Sequence, residues 1–375
     1  MTLSLAALAL LAVLLAYANG SNDVSKGIAT LVGSGVSNFR VAVLWGTFWT
    51  VAGGLAAAFA SQGLVATFSG NGFLAGAIPG PAFLSAVTAG AIAWVLFASR
   101  TGLPVSTTHA LAGALAGAGI VAQGAGQLHW KFIAMRVGLP LGLSPLLSLA
   151  MIFAIFPVLR RGLSRVDGYC VCIERIEGRV SIAGAGTLAM SGVSTAEAPS
   201  ALVSRVEDCE ASPAVAARLQ AVDALHWLSS ALTSLARGVN DAPKIVALAI
   251  VASAGLGVSG FSFYAAVALA MGAGSLVAGF RVTKTLAARV TPMSPAEGFC
   301  ANFVTALLVG LASVAALPIS TTHVSAGAII GIGLHRGSAA VGWTTVREML
   351  LAWLVTLPAA GIVGAGCYAI LRALA

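Results

Sequence analysis

Residues 102–119 read GLPVSTTHALAGALAGAG, and residues 316–333 read ALPISTTHVSAGAIIGIG. A second pair of segments recurs in the same order, NDVSK at 22–26 and NDAPK at 240–244. The two copies are 214 residues apart for the Ser-Thr-Thr segments (106 to 320) and 218 for the Asn-Asp segments (22 to 240). The chain therefore reads as two homologous halves, 1–158 and 223–375, joined by a polar stretch over 159–222.

Of 375 residues, 58% are hydrophobic and 9% charged, against about 25% charged in ordinary soluble domains. Apolar runs lie near 3–18, 41–60, 82–99, 104–122, 132–158, 244–279, 301–334 and 350–371. These are of spanning or near-spanning length, and Gly, Pro or polar clusters interrupt several of them. The expectation is an all-α polytopic membrane protein of about 10 to 12 membrane elements, some of them broken or re-entrant half-helices. Ala16-Tyr17-Ala18 resembles a signal-peptide cleavage site, but the leading MTLS has no basic residue, which favours a retained span.

The net charge of +8 would suit a nucleic-acid partner only on a soluble surface, and the bases are scattered between apolar runs. The positive-inside rule explains them better and puts the loops bearing Arg160, Arg161 and Arg165, and Arg281, Lys284 and Arg289, in the cytoplasm. Eight of the 12 acids lie between 159 and 223, so that stretch reads as a solvated cytoplasmic loop. Cys170, Cys172, Cys209, Cys300 and Cys367 do not supply four zinc ligands at suitable spacing. Free thiols and no metal site are expected.

Only four acids remain elsewhere, and two of them are Asp23 and Asp241. An ionised group among apolar spans costs a few kcal/mol even on lenient scales, so it is expected to face a cavity and to serve function. On a helix, residues three apart are neighbours, which allows Asp23 to pair with Lys26 and Asp241 with Lys244. Two buried ion pairs would make poor glue beside apolar packing.

In LPVSTTH and LPISTTH the prolines suit a first helical turn, beside free backbone amides that bind anions through N–H groups and the helix dipole. Ser106, Thr107 and Thr108 facing Ser320, Thr321 and Thr322 would surround a tetrahedral oxyanion with neutral donors. The plainer reading is hydroxyls bonded back to their helices. Duplicated halves with interrupted segments at matching positions point to a transporter whose site lies at the repeat interface. Parallel and inverted halves both remain open, since the parity of spans is not legible. His109 and His323 read as hydrogen-bonded structural residues, with proton relay second. Glu297 opens an apolar span and has no counterpart in the first half. An intramembrane enzyme would need one asymmetric nucleophile and base in contact, whereas these hydroxyls come in symmetric neutral copies.

The paired Asn-Asp and Pro-x-Ser-Thr-Thr-His motifs resemble those of the inorganic phosphate transporter family, the PiT or sodium/phosphate symporters. The resemblance covers both halves and leaves out the central stretch. It implies inverted-topology repeats, outside termini, a cytoplasmic central loop, often a homodimer, and phosphate symport by alternating access in the cytoplasmic (inner) membrane, surrounded by lipid. It also implies phosphate binding by Asn22, Asp23, Ser106, Thr107, Thr108, Asn240, Asp241, Ser320, Thr321 and Thr322, with no cofactor beyond a coupling ion, Na+ or H+. Sulfate or another tetrahedral oxyanion is the alternative cargo, and an anion channel a further one. The chain departs from the family at Lys26 and Lys244, where members commonly carry an Asn that helps ligate sodium. A lysine ammonium can fill the space and charge of that ion, which leaves coupling to Asp23, Lys26, Asp241 and Lys244. Arg237 stands where relatives often have His, and adds attraction for an anion unless it lies at the cytoplasmic interface.

Overall fold

A computed structural model describes residues 2–60, 62–69, 72–76, 80–174, 201–207 and 215–374. The first half comprises α1 (Thr2–Asp23), α2 (Ser25–Gly33), α3 (Phe39–Ala60), α4 (Gln62–Phe68), α5 (Pro81–Thr101), α6 (Thr107–Gln123) and α7 (Trp130–Val166). The second comprises α8 (Ala221–Gly255), α9 (Gly260–Ala278), α10 (Phe280–Ala288), α11 (Pro295–Val314), α12 (Thr321–Arg336) and α13 (Trp343–Ala373). The series run in step: α3 matches α9, α4 matches α10, α5 matches α11, α6 matches α12 and α7 matches α13. The single α8 stands for α1 and α2 together.

Seven stretches among the described residues are long and apolar enough to cross a membrane: α1 with α2, α3, α5, α7, α9, α11 and α13. The chain is a multi-pass membrane protein. Leu10, Phe48, Leu269, Leu354 and Ile362 point outward, each more than 60% exposed, as suits side chains whose solvent is lipid. At 17 and 16 residues, α6 and α12 extend about 25 Å, short of the ~30 Å hydrocarbon core. Both are shorter than each of the seven spans, and each is a half-helix in that sense.

The halves exchange partners. α1 packs on α9 while α8 packs on α3, and α6 lies on α13 while α12 lies on α7. Glycines set the first of these contacts. A Cβ at Gly20 would stand 1.9 Å from the Met271 carbonyl oxygen, and one at its counterpart Gly238 would stand 2.3 Å from the Thr50 oxygen. Both partners are backbone and cannot yield, so the helices approach to a distance that only glycine permits.

The apolar run 244–279 is interrupted: α8 ends at Gly255, Gly257 turns with φ 68°, and α9 starts at Gly260. Two expectations need correction. Pro104 and Pro318 do not occupy first helical turns; they lie in the extended lead-in, two residues before the N-caps Ser106 and Ser320. The residue before a proline avoids the helical region, and serine is the stronger cap. Finally, the chain is nearly but not wholly helical. Tyr169–Glu174 (β1), Ala201–Arg205 (β2) and Val215–Gln220 (β3) form an antiparallel sheet of order β2-β1-β3, where a loop was expected. The strands are only five or six residues long, and their β-branched residues are diluted by the Gly, Ser and charged residues between them. Cys170 and Cys172 pack with Val206 at the sheet, while Cys300 and Cys367 are free; Cys209 lies outside the described residues.

Candidate functional site

Each half-helix begins at a built break. α5 closes on Gly102 in the left-handed region, φ 78°, and the chain then runs extended to Ser106, whose Oγ accepts from the His109 amide at 3.2 Å. In the second half Ala316 takes φ 54°, and Ser320 Oγ accepts from the His323 amide at 3.2 Å. A capping hydroxyl oxygen that accepts still has its own proton to give. The first amides of α6 and α12 lack intrahelical acceptors by helix geometry.

The two asparagines of the Asn-Asp motifs hold these breaks in place. Asn22 Oδ1 accepts from the Val105 amide at 3.2 Å, while its Nδ2 donates to the Leu103 carbonyl at 3.0 Å and to Ser99 Oγ at 3.3 Å. Asn240 Nδ2 donates to the Ile319 carbonyl at 3.3 Å and to Asp241 Oδ1 at 2.9 Å, and its Oδ1 receives Ser313 Oγ at 3.4 Å. Their polar atoms are spent on protein, so they act as braces.

Each lysine ammonium gathers three oxygens. Lys26 Nζ donates to Asp23 Oδ1 at 2.7 Å and to the carbonyl and Oδ1 of Asn22, both at 2.8 Å. Lys244 Nζ donates to Asp241 Oδ1 at 3.2 Å, the Ile319 carbonyl at 3.1 Å and Thr108 Oγ1 at 2.9 Å. The last bond crosses between the halves. So do two others: Thr322 Oγ1 donates to the Val105 carbonyl at 2.7 Å, and Asn19 Nδ2, which also reaches Asp23 Oδ2 at 2.7 Å and Thr107 Oγ1 at 3.1 Å in its own half, reaches Asp241 Oδ2 at 3.3 Å. One amide thus spans the acids of both halves. Thr107 Oγ1 also donates to Asp23 Oδ2 at 3.2 Å.

The rings of His109 and His323 lie 4.6 Å apart between centroids, and His323 packs on Trp353 at 4.0 Å. His323 Nδ1 meets the Leu141 carbonyl at 3.0 Å, while His109 Nδ1 and His323 Nε2 have no partner. The two half-helix starts therefore meet at one place. All ten residues expected to bind the cargo are brought to this centre, and none is more than 6% exposed. Lys26 and Lys244 are buried with them.

Arg237, one turn before Asp241 on α8, is also buried, at 1% exposure. Its Nη2 donates to Thr50 Oγ1 at 2.8 Å, but Nε and Nη1 have no acceptor. Glu297 is elsewhere and structural: it closes a capping box with Ser294 and pairs with Arg336 at 3.1 Å.

Sequence reasoning missed Asn19, Ser99 and Ser313. Asn19 had a signal. It stands four residues before Asp23, as Arg237 stands before Asp241. Ser99 and Ser313 share the 214-residue offset of the half-helices, but single serines inside apolar helices carry no local mark.

Comparison with known proteins covers both halves and the stretch between them. Residues 19–364 match the pattern of the phosphate transporter family. A protein of Rhizobium meliloti described as "Probable low-affinity inorganic phosphate transporter" is 29% identical over 94% of this chain and 92% of its own length. The chloroplastic inorganic phosphate transporter 2-1 of Arabidopsis thaliana is 27% identical over 92% of this chain and 68% of its own. Among solved structures, a sodium-dependent phosphate transporter superposes with a TM-score of 0.77 at 22% identity, over the whole of both chains. These relatives are transporters and not enzymes.

Proposed function

The chain belongs to the phosphate transporter family, and from that premise we propose that it carries inorganic phosphate across the cytoplasmic membrane as a secondary symporter working by alternating access. One observation carries the reading: two half-helix N-termini from different halves converge on a buried centre that also holds Asp23 and Asp241. The amides of Thr107, Thr108, Thr321 and Thr322, the hydroxyl protons of Ser106, Ser320, Thr108 and Thr321, and those of Thr107 and Thr322 once they turn from Asp23 and the Val105 carbonyl, are the donors for a tetrahedral oxyanion. Asn22 and Asn240 hold those donors in position. The exchange of helix partners supports two inverted repeats, 1–158 and 223–375, rocking against each other about a fixed central site. The basic residues around the 159–222 segment support its cytoplasmic placement.

The coupling ion in this reading is the proton. Each ammonium collects a carboxylate oxygen and two further oxygens at 2.7–3.2 Å, the kind of oxygen cage a monovalent cation would take. A fixed Lys26 and a fixed Lys244 stand in for such ions, and the aspartates and lysines are left to exchange protons. Uptake of labelled phosphate into proteoliposomes tests this. Replacing sodium with choline leaves the rate unchanged, and a protonophore collapses it; strict sodium dependence would refute the replacement. Excess sulfate is expected to compete weakly, because a protonated phosphate can donate to Asp23 or Asp241 and sulfate cannot.

A further inference from the structure

The two halves repeat their Asn-Asp, Lys and Ser-Thr-Thr-His residues around the centre, but not the residue one turn before each Asp or the helix face packed against it. Arg237 corresponds to Asn19 through the 218-residue offset. α3 and α9, which pack against these positions, correspond through an offset of 221 residues, set by Gly53 and Gly274. At these glycines an added Cβ would stand 2.1 Å from the Leu235 carbonyl oxygen and 1.9 Å from the Tyr17 carbonyl oxygen, and Leu235 and Tyr17 are themselves 218 apart. The 221-residue offset pairs Thr47 with Ala268 and Thr50 with Met271. Where the second half sets apolar side chains beside a neutral amide, the first half sets two hydroxyls beside a guanidinium.

That cluster is polar, buried and incomplete. Thr47 and Thr50 lie one turn apart on α3, at 9% and 0% exposure. Arg237 Nε, Arg237 Nη1 and Thr47 Oγ1 all lack partners, although each is shut off from solvent. Leaving such groups unsatisfied is costly, most of all for a cation. The acids nearby do not satisfy it. Asp23 Oδ1 is held by Lys26 and Asp241 Oδ1 by Lys244, at 2.7 and 3.2 Å, while Asn19 takes the second oxygen of each. Two carboxylates thus face two ammoniums, and the guanidinium is left over. A buried excess of one positive charge, with two N–H groups unspent, calls for an anion.

We propose that Arg237, with Thr47 and Thr50, forms a one-sided oxyanion subsite. It takes an oxygen of the cargo bound between the half-helices and draws that cargo off the pseudo-twofold axis toward α3. This deepens the phosphate-transport reading and rests on it. In the subsite the guanidinium supplies the charge, Thr47 and Thr50 are the hydroxyls that can turn toward the anion, and the neutral Asn19 on the other side supplies no competing pull. The consequence is an occluded state whose two halves are unequal in contact with the cargo.

The test is titration of the detergent-solubilised full-length protein with inorganic phosphate, with melting temperature measured in its absence. Loss of a charge-assisted bond is expected to weaken the Kd of Arg237→Gln about 10- to 100-fold. Arg237→Lys keeps the charge but not the fork and recovers part of the loss. Thr50→Val weakens binding several-fold. The phosphate-free melting temperature of Arg237→Gln stays at or above that of the wild type, because an unpaired buried charge has been removed. A wild-type Kd for Arg237→Gln would overturn the subsite and leave phosphate transport standing. So would a lower phosphate-free melting temperature, or failure of that variant to fold, since either marks a structural guanidinium. A wild-type protein that binds no phosphate would overturn the transport reading and the subsite together.

Discussion

Asp23 and Lys26 are three residues apart on the sequence and 2.7 Å apart in space, at 2% and 0% side-chain exposure. A buried pair of this kind is strongly destabilised when one partner is removed, by about 3–5 kcal/mol, yet its joint replacement by uncharged groups is often tolerated. Lys26→Met alone is therefore expected to lower the melting temperature sharply. Adding Asp23→Asn to it recovers most of the stability but no phosphate uptake. A double variant that is stable and still transports would make the pair mere packing. At this scale much was legible. Asp23, Lys26, Asp241 and Lys244 announce themselves because charge is rare in this chain, and so do the two hydroxyl triplets, because they recur. Asn19 was missed despite its place four residues before Asp23, since an asparagine at the end of an apolar run looks like a helix terminus. Only the fold shows its Nδ2 reaching both acids.

The elements follow from the same residues with one change of emphasis. Ser106 and Ser320 were expected as ligands for the cargo, and they also cap the half-helices they begin. The prolines stand farther back and straighten the approach. The glycines of α1, α3, α8 and α9 were silent in the sequence, because 44 glycines in a membrane protein carry no individual message. Their meaning is contact. At Gly238 even a methyl group meets the Thr50 oxygen at 2.3 Å and the Gly54 amide nitrogen at 2.7 Å. Gly238→Val is expected to separate α8 from α3 and to cost several kcal/mol by overpacking. Size-exclusion profile and melting temperature in detergent check this, and a variant that melts with the wild type would contradict the close approach. The three short strands were missed for a physical reason: segments of five or six residues whose pairing partners lie far along the chain leave no periodic signal long enough to read.

Across the whole molecule, the duplication predicted two halves and the structure adds how they are joined. α1 rests on α9 and α8 on α3, each half-helix lies on the last helix of the other half, and the shared centre is enclosed by elements of both. Neither half has a complete site alone. The near-symmetry also explains why one asymmetric cluster, at Arg237, stands out against it. In the proposed transport cycle a single oxyanion sits between the two Ser-Thr-Thr turns. The direct measurement is an experimental structure of the full chain with phosphate bound. One tetrahedral density is expected within hydrogen-bond distance of Thr107 or Thr108 from α6 and of Thr321 or Thr322 from α12, displaced toward Arg237. Phosphate density that touches only one half-helix, or lies away from both, would contradict this placement.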